Sequence, residues 1–414
     1  MKTLLVIGYV WPEPRSSAAG YHMLSLLRLF HNSQWQITFA SPAKPTDYMH
    51  DLSTLGIDCQ SIQPNDNHFD VWVSELKPDM VLFDRFLMEE QFGWRIEQAC
   101  PNAMRLLDTE DLWCLRHARH NAHKERREMT YHDLNSDLAK REIAAIFRSD
   151  LSLIISDFEF QLLQDRFSVP PQQLHLLPFM VSTGSRPNSN SCFEARNHFI
   201  TIGNFKHAPN WDSVLYLKQL WPAIRKQLPE AELHIYGAYM PEKAAALHDA
   251  QSGFLVKGRA EDALQVMEKA RVCLAPLRFG AGIKGKLLDA MITGTPSVTT
   301  PIGAEGMTRG HPWPGIIADD EPDFVQAAVG LYLDKEQWQS AHNQTQELLS
   351  DVFDADRSSA ELLDRVETLL IQLEQHRSQH FIGAMLRHHS LKSTQYMSRW
   401  IETKNELQQQ QKPS

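Results

Sequence analysis

Residues 271–298 read Arg271-Val-Cys-Leu-Ala275-Pro276-Leu-Arg278-Phe-Gly280-Ala-Gly282-Ile-Lys284-Gly285-Lys286-Leu-Leu-Asp289-Ala-Met291-Ile-Thr293-Gly294-Thr-Pro-Ser-Val298. The apolar run 272–275 has the character of a buried parallel strand that stops at Pro276. Three glycines and two lysines lead into a helix that ends at Gly294, and a second apolar strand follows. Glycine-rich backbone lets N–H groups come close to an anion, and a helix N-terminus adds about half a positive charge. Arg278, Lys284 and Lys286 put full charges at the same end. The stretch therefore reads as a cradle for a polyanion, a diphosphate in particular. Asp289, about one helical turn further in, is placed to accept hydrogen bonds from ribose hydroxyls. The plainer reading is a βα turn that uses Gly for geometry and Lys for solubility. The gathering of Gly, Lys and Asp at the carboxyl edge of one strand, where α/β sheets bind ligands, favours the cradle.

Outward from this stretch the chain repeats the same alternation. Strands are expected at 198–202, 232–236, 254–256, 272–275, 297–299 and 315–318, with helices between most of them. Earlier, strands are expected at 4–8, 36–40, 80–83, 104–107, 151–155 and 174–177. This predicts an α/β protein with two Rossmann-like, doubly wound domains facing each other across a cleft. The polar, low-hydrophobicity run 181–197 marks a linker. The division is 1–180 and 198–375 for the two domains, with a tail over 376–414. At 414 residues the length itself suggests about two or three domains.

Composition sets bounds. With 43% hydrophobic and 22% charged residues, the chain is an ordinary globular one, and its net charge of -10 argues against nucleic acid as a partner. The five cysteines are scattered without a Cys-x-x-Cys pair, which fits a reducing compartment and no zinc site. The apolar run at the N-terminus is too short for a signal peptide, and no stretch has the length of a membrane span. The expected location is the cytoplasm, with peripheral contact at the inner face of a membrane as an extension. The tail carries Arg377, Arg387, Lys392, Arg399, Lys404 and Lys412 among apolar Phe381, Ile382, Met385, Leu386, Met397, Trp400 and Ile401. It reads as a basic amphipathic helical segment that packs across the first domain or meets an anionic membrane, and the run 408–411 reads as frayed.

Several further loops point at the expected cleft. In the first domain Arg15, Ser17 and Gly20 sit at a helix start, where anions bind; Ser17 also suits a plain N-cap. Asp84 and Arg85 follow one strand, and Asp108-Thr-Glu-Asp111 follows the next. The helical region 112–150 is rich in Arg, Lys and His. The spacing of His117, His120 and His123 shares a helix face but lacks a cysteine or carboxylate set, so a solvated or acceptor-facing basic patch, suited to an anionic acceptor, is preferred to a metal site.

The segment 280–298 resembles the donor-site signature of GT-B glycosyltransferases of the group 1 (GT4-like) family. In many of these a Glu opens an "EAM…G.PVV" run; here it reads Asp289-Ala-Met291 and Gly294-Thr-Pro-Ser-Val298. The partner Glu eight positions earlier is replaced by Ala281. The loop Gly203-Asn204-Phe-Lys206-His207-Ala-Pro-Asn-Trp-Asp212 resembles the family's "GN…PN.D" loop, which reaches the donor phosphates, and Lys257-Gly258-Arg259 stands where the family's backbone meets the base.

The resemblance implies transfer of a sugar from a UDP-, GDP- or TDP-sugar to a glycan or lipid-linked acceptor of the cell envelope. It further implies retention of configuration, without a metal or other cofactor. Charge growing on the leaving diphosphate would be met by helix N-termini, Arg278, Lys284 and Lys206. Donor contacts would come from Gly203, Asn204, Lys206, Gly258, Arg259, Arg278, Gly282, Lys284 and Asp289. The family's His near the reacting carbon has no counterpart before His117, so Asp108, then Asp111, are the candidates for that contact. Two other readings stand beside this one: a nucleotide-sugar 2-epimerase of the same fold, and a non-catalytic nucleotide-sugar-binding protein. An NAD-dependent dehydrogenase is disfavoured, because no Gly-x-Gly-x-x-Gly follows the first strand.

Overall fold

The structure, a computed structural model, describes residues 2–182, 192–389 and 391–410. Among the described residues thirteen strands form two fully parallel sheets, each flanked by helices. The first sheet contains β1 (Thr3–Ile7), β2 (Gln36–Ser41), β3 (Asp58–Ser61), β4 (Met80–Asp84), β5 (Met104–Asp108), β6 (Leu151–Ile154) and β7 (Leu174–Leu176), in the order β3-β2-β1-β4-β5-β6-β7. The second contains β8 (Phe199–Ile202), β9 (Leu233–Tyr236), β10 (Phe254–Gly258), β11 (Val272–Ala275), β12 (Ser297–Thr299) and β13 (Gly315–Ile317), in the order β10-β9-β8-β11-β12-β13. In each sheet the strand order reverses beside the first strand in sequence, which creates a crevice at the carboxyl ends.

Burial explains why these strands were legible. Leu5, Val6, Ile7, Val81, Phe83, Leu106 and Leu107 are at most 1% exposed, as expected for strands covered on both faces. The exception is β3, whose four residues are all exposed. It is an edge strand with no apolar run, and nothing in its sequence announced it. The helical region 112–150 holds the helices Trp113–Lys124 and Asp137–Arg148, with a short 3-10 helix, Tyr131–Asn135, between them.

The chain crosses between the sheets twice at one place. Val181 N–H donates to Phe353 O at 2.8 Å, and Ala355 N–H donates to Val181 O at 3.3 Å. The helix Ala355–Ile371, assigned above to the second domain, instead delivers Leu362, Val366 and Leu369 to the core of the first sheet. Arg196, assigned to the linker, is buried and donates to Thr295 Oγ1 and Thr293 O, both at 2.6 Å. Residues 183–191 of that linker lie outside the described residues.

The tail forms the helices Phe381–His389 and Leu391–Gln410 on the first domain. The run expected to fray is helical through Gln410, and Gln411 lies outside the described residues. Arg95, fully buried on the helix Phe86–Ala99, holds the last helix: it pairs with Glu402 and donates to Ser398 Oγ at 3.0 Å. Asp70 and Pro64 O take its remaining N–H groups at 2.7 and 3.2 Å. No helix among the described residues is long and apolar enough to cross a membrane.

Candidate functional site

The glycine loop lies against the first domain. Gly282 has φ 62°, and a Cβ there would come within 2.7 Å of the Asp111 Cβ; a Cβ on Gly285 would meet the Ala18 Cβ at 2.6 Å. Glycine is required at 282 on both counts, conformation and space. The Gly282 N–H donates to Glu159 Oε1 at 2.8 Å, and the same oxygen accepts from Leu112 N–H at 3.1 Å. One carboxylate from the first domain thus bridges a loop of each. Burial, then Asp111, pushes its pKa up to about 8.

The cations named from the sequence have different surroundings. Arg278 donates to both oxygens of Asp212 at 2.9 and 2.6 Å and lies over the Tyr216 ring, so its charge is already compensated. Lys206 sits 3.6 Å above the Tyr239 ring, and Arg259 lies over Tyr48. Tyr239 in turn donates to Glu13 of the first domain, so these residues close one mouth of the cleft. Lys284 points back to Gly282 O at 2.8 Å and Glu305 O at 3.4 Å. Lys286 differs from all of these. It is only 9% exposed and has neither a hydrogen-bond acceptor nor an ion-pair partner among the described residues. Burial lowers its pKa to about 8, and that of Lys284 likewise. Lys286 was named above only as part of the loop's charge, yet it is the cation most ready for an anion.

Asp289 is one turn into the helix Gly285–Ile292. The residue is half-buried, but its carboxyl group is the desolvated part: burial, then Asp262, raises its pKa to about 7. Gly203 sits under Asn210, whose Nδ2 donates to Asn204 O at 3.1 Å, while Asn204 Oδ1 accepts from Lys206 N–H at 2.9 Å. Gly258, at φ 77°, accepts from Gly237 N–H at 2.8 Å and turns β10 into the cleft edge.

Across the cleft, the ends of β4 and β5 bring Asp84, Asp108 and Glu110 together, with ligand-capable oxygens within 4.8 Å of one another. Arg85 donates to Asp84 Oδ2 at 3.2 Å, and His22 Nε2 is 3.7 Å from Asp108 Oδ1. Burial raises the pKa of Asp84, lifts Asp108 to about 6, and, with Asp108 adding to it, puts Glu110 well above the usual range. His22, fully buried, is lowered to about 4. Arg85 and Glu110 adopt left-handed-side φ values of 69° and 55°, a strain that concentrates at working sites. The sequence reading named Asp84, Arg85 and Asp108 but not Glu110 or His22. The positive φ of Glu110 and the 22–108 approach are tertiary and leave no local mark.

Asp111 is paired with Arg116, whose Nη1 lies 3.5 Å from His207 Nε2 of the second domain. Ser17 is the N-cap of the helix Ala18–Asn32, accepting from Gly20 N–H at 3.0 Å; Gly20 packs against the backbone of Glu13, and Arg15 is exposed.

The basic helix Trp113–Lys124 is a clamp between the domains rather than a solvated patch. Arg119 donates through Nη1 and Nη2 to Glu305 Oε1 and Oε2 at 2.7 and 2.8 Å, and Nη1 also reaches Gly280 O at 2.9 Å. His120 stacks on Phe279 with ring centroids 4.4 Å apart, and His123 approaches Asp212 at 3.6 Å. Between this helix and the 203–212 loop is a cavity of about 140 Å³, lined by Trp113, Arg116, His120, His207, Pro209 and Phe279.

Residues 196–334 match the model of the family described as "Glycosyl transferases group 1". A Klebsiella pneumoniae protein, "Uncharacterized 44.6 kDa protein in cps region", is 29% identical over 146 residues, 33% of this chain and 38% of that protein. The match thus spans well under half of that relative. Sucrose-phosphate synthase from Thermosynechococcus elongatus superposes with a TM-score of 0.68 over 90% of this chain and 100% of its own, at 14% identity. HepE from Anabaena, in complex with UDP and glucose, gives 0.67 over 89% and 100%, at 11% identity. At such identities these are likenesses of fold. The second-sheet region, residues 196–334, thus matches the group 1 glycosyl transferases, and the chain as a whole has the two-unit GT-B fold of these structures.

Proposed function

We propose that the protein transfers a sugar from a nucleotide-diphosphate donor to a glycan or lipid-linked acceptor of the cell envelope, with retention and with its own cations in place of a metal. The observation that carries this is Lys286: a buried ammonium with no counter-charge, beside the N-terminus of the helix Gly285–Ile292. The first amides of a helix have no acceptor within it, so the diphosphate would find N–H groups and a full charge together. Lys284, one residue before the helix, adds a second charge as the leaving group gains its own. Gly282 supplies an amide once Glu159 lets go of it. Asp289 takes the ribose hydroxyls, and Gly203, Asn204, Lys206, Gly258 and Arg259 frame the remainder of the donor.

On the acceptor side, Asp108 is the first and Asp111 the second candidate for the contact near the reacting carbon. Asp84, Arg85, Arg15, Ser17 and Gly20 border that side. Arg278, held by Asp212, positions the loop and does not bind phosphate directly. The reading places the protein in the cytoplasm at the inner face of a membrane, within reach of a lipid-linked acceptor; the Klebsiella relative's cps region fits a surface-glycan role.

The test is a thermal-shift screen with UDP, GDP, TDP, CDP and their sugars, with NAD as control. One nucleoside diphosphate should raise Tm, and Lys286→Ala, Lys284→Ala and Asp289→Ala should remove the shift. A shift with NAD alone, or with none of the set, overturns the reading. Donor turnover without any acceptor would instead favour a 2-epimerase.

A further inference from the structure

The last helix has one face for the protein and one that the protein leaves uncovered. Ser398 and Glu402 turn inward to Arg95, and Gly383 on the preceding helix is so close that a Cβ would lie 2.2 Å from Phe147 O. The opposite face carries Tyr396, Met397, Trp400 and Leu407, which are 65%, 58%, 61% and 53% exposed. Spacings of four and eleven residues put Tyr396, Trp400 and Leu407 on one line along a helix. On the helix before it, Phe381, Ile382 and Met385 are also exposed, at 77%, 50% and 45%. Seven of the sixteen exposed large apolar side chains among the described residues therefore fall within residues 381–407. Scattered exposed apolar residues need no explanation, but a contiguous row does.

Charge decides what covers the row. Lys392 and Arg399 flank it on one side and Lys404 on the other, all exposed, with Lys404 5.3 Å from the Trp400 ring. Glu402 is spent on Arg95 on the far face. This positive strip belongs to a chain whose net charge is -10. Tyr and Trp with an apolar body and a polar edge, bordered by Lys and Arg, match the boundary between headgroups and acyl chains. A second copy of the chain would set these cations against their own kind across a symmetric contact, because a twofold interface pairs a patch with itself.

We infer that the outer face of the helix Leu391–Gln410 binds the surface of an anionic phospholipid bilayer, with Tyr396, Trp400 and Leu407 in the headgroup boundary and Lys392, Arg399 and Lys404 on the lipid phosphates. This rests on the proposed function only for its purpose, that of bringing the cleft to a lipid-linked acceptor. Its test does not pass through donor binding.

The experiment is flotation of the full chain with vesicles of phosphatidylcholine alone and of phosphatidylcholine mixed with phosphatidylglycerol. The wild-type protein should float with the mixed vesicles only and be released by raised salt. Neutralising three charges (Lys392→Gln, Arg399→Gln, Lys404→Gln) should lower the partition about a hundredfold, near fivefold per charge. Trp400→Glu should lower it about tenfold or more, with an unchanged Tm and far-UV circular dichroism spectrum as evidence of folding. Failure of the wild-type protein to bind the mixed vesicles overturns the inference. So does a concentration-dependent dimer in sedimentation equilibrium that Trp400→Glu dissolves, which would give the row to a second copy.

Discussion

The two edges that face the cleft are built differently. At the second sheet, the helix start, two lysines and a carboxylate come in sequence order from one continuous stretch, Gly280 to Asp289. At the first sheet they come from separate places in the chain: His22 from a helix, Asp84 and Arg85 from the end of β4, Asp108 and Glu110 from the end of β5, and Glu159 from the helix after β6. The second edge gathers cations and helix-start amides. The first is an excess of carboxylates around one guanidinium, where burial lifts the pKa of Asp108 to about 6 and that of Glu110 well above the usual range. One edge is thus suited to receive negative charge and the other to handle protons and hydroxyls.

Three measurements would break or sharpen that contrast. The largest effect is expected on the donor edge. Lys286→Ala should weaken nucleoside diphosphate binding by about 10- to 150-fold, the range for a charge-assisted hydrogen bond, whereas Arg278→Ala should change it less than about threefold, because Asp212 already holds that guanidinium. Isothermal titration of both variants decides it; equal losses would mean that the uncompensated lysine is not the anion's main contact.

The next effect is on pH. Lys286 and Lys284 each have a pKa lowered to about 8, and a bound anion favours their charged forms, so affinity should fall above that pH by up to about tenfold per unit for each lysine. In Lys286→Ala the remaining slope should be that of Lys284 alone, whose pKa is also about 8.

The smallest effect is on the acceptor edge. The Asp108 carboxyl group titrates at about 6 in the folded protein against 3.8 ordinarily, so the folded state keeps its proton where the unfolded state has lost it. Its contribution to stability is full below about 3.8 and gone above about 6, which means that stability falls as pH rises through that window. Asp108→Asn should flatten the Tm profile there. An unchanged profile would move the titration to Asp84 or Glu110.

The same contrast explains what could be read before any coordinates. The strand core and the glycine loop are contiguous in the chain, so apolar runs and a local Gly–Lys–Asp order sufficed. The first-sheet cluster is assembled by strand order: β4 and β5 are neighbours, with Asp84 paired to Asp108 in register, yet no spacing along the chain signals Glu110 or His22. The basic helix misled for a related reason. Arg119, His120 and His123 have the composition of a solvated face, and only their partners Glu305, Phe279 and Asp212, all from the second domain, show that they join the halves. The tail's inner face was hidden in the same way, because Arg95 lies some three hundred residues earlier in the chain.

The paired crossings at Val181 and Asp354 have a mechanical consequence. Both covalent connections pass through one hydrogen-bonded point, so the sheets are joined as by a pivot rather than by two separated struts. Opening of the cleft must then be a swing about that point. The contacts furthest from it travel most: a small rotation there becomes a wide gap wherever the lever arm is long. The backbone at the pivot itself need hardly move.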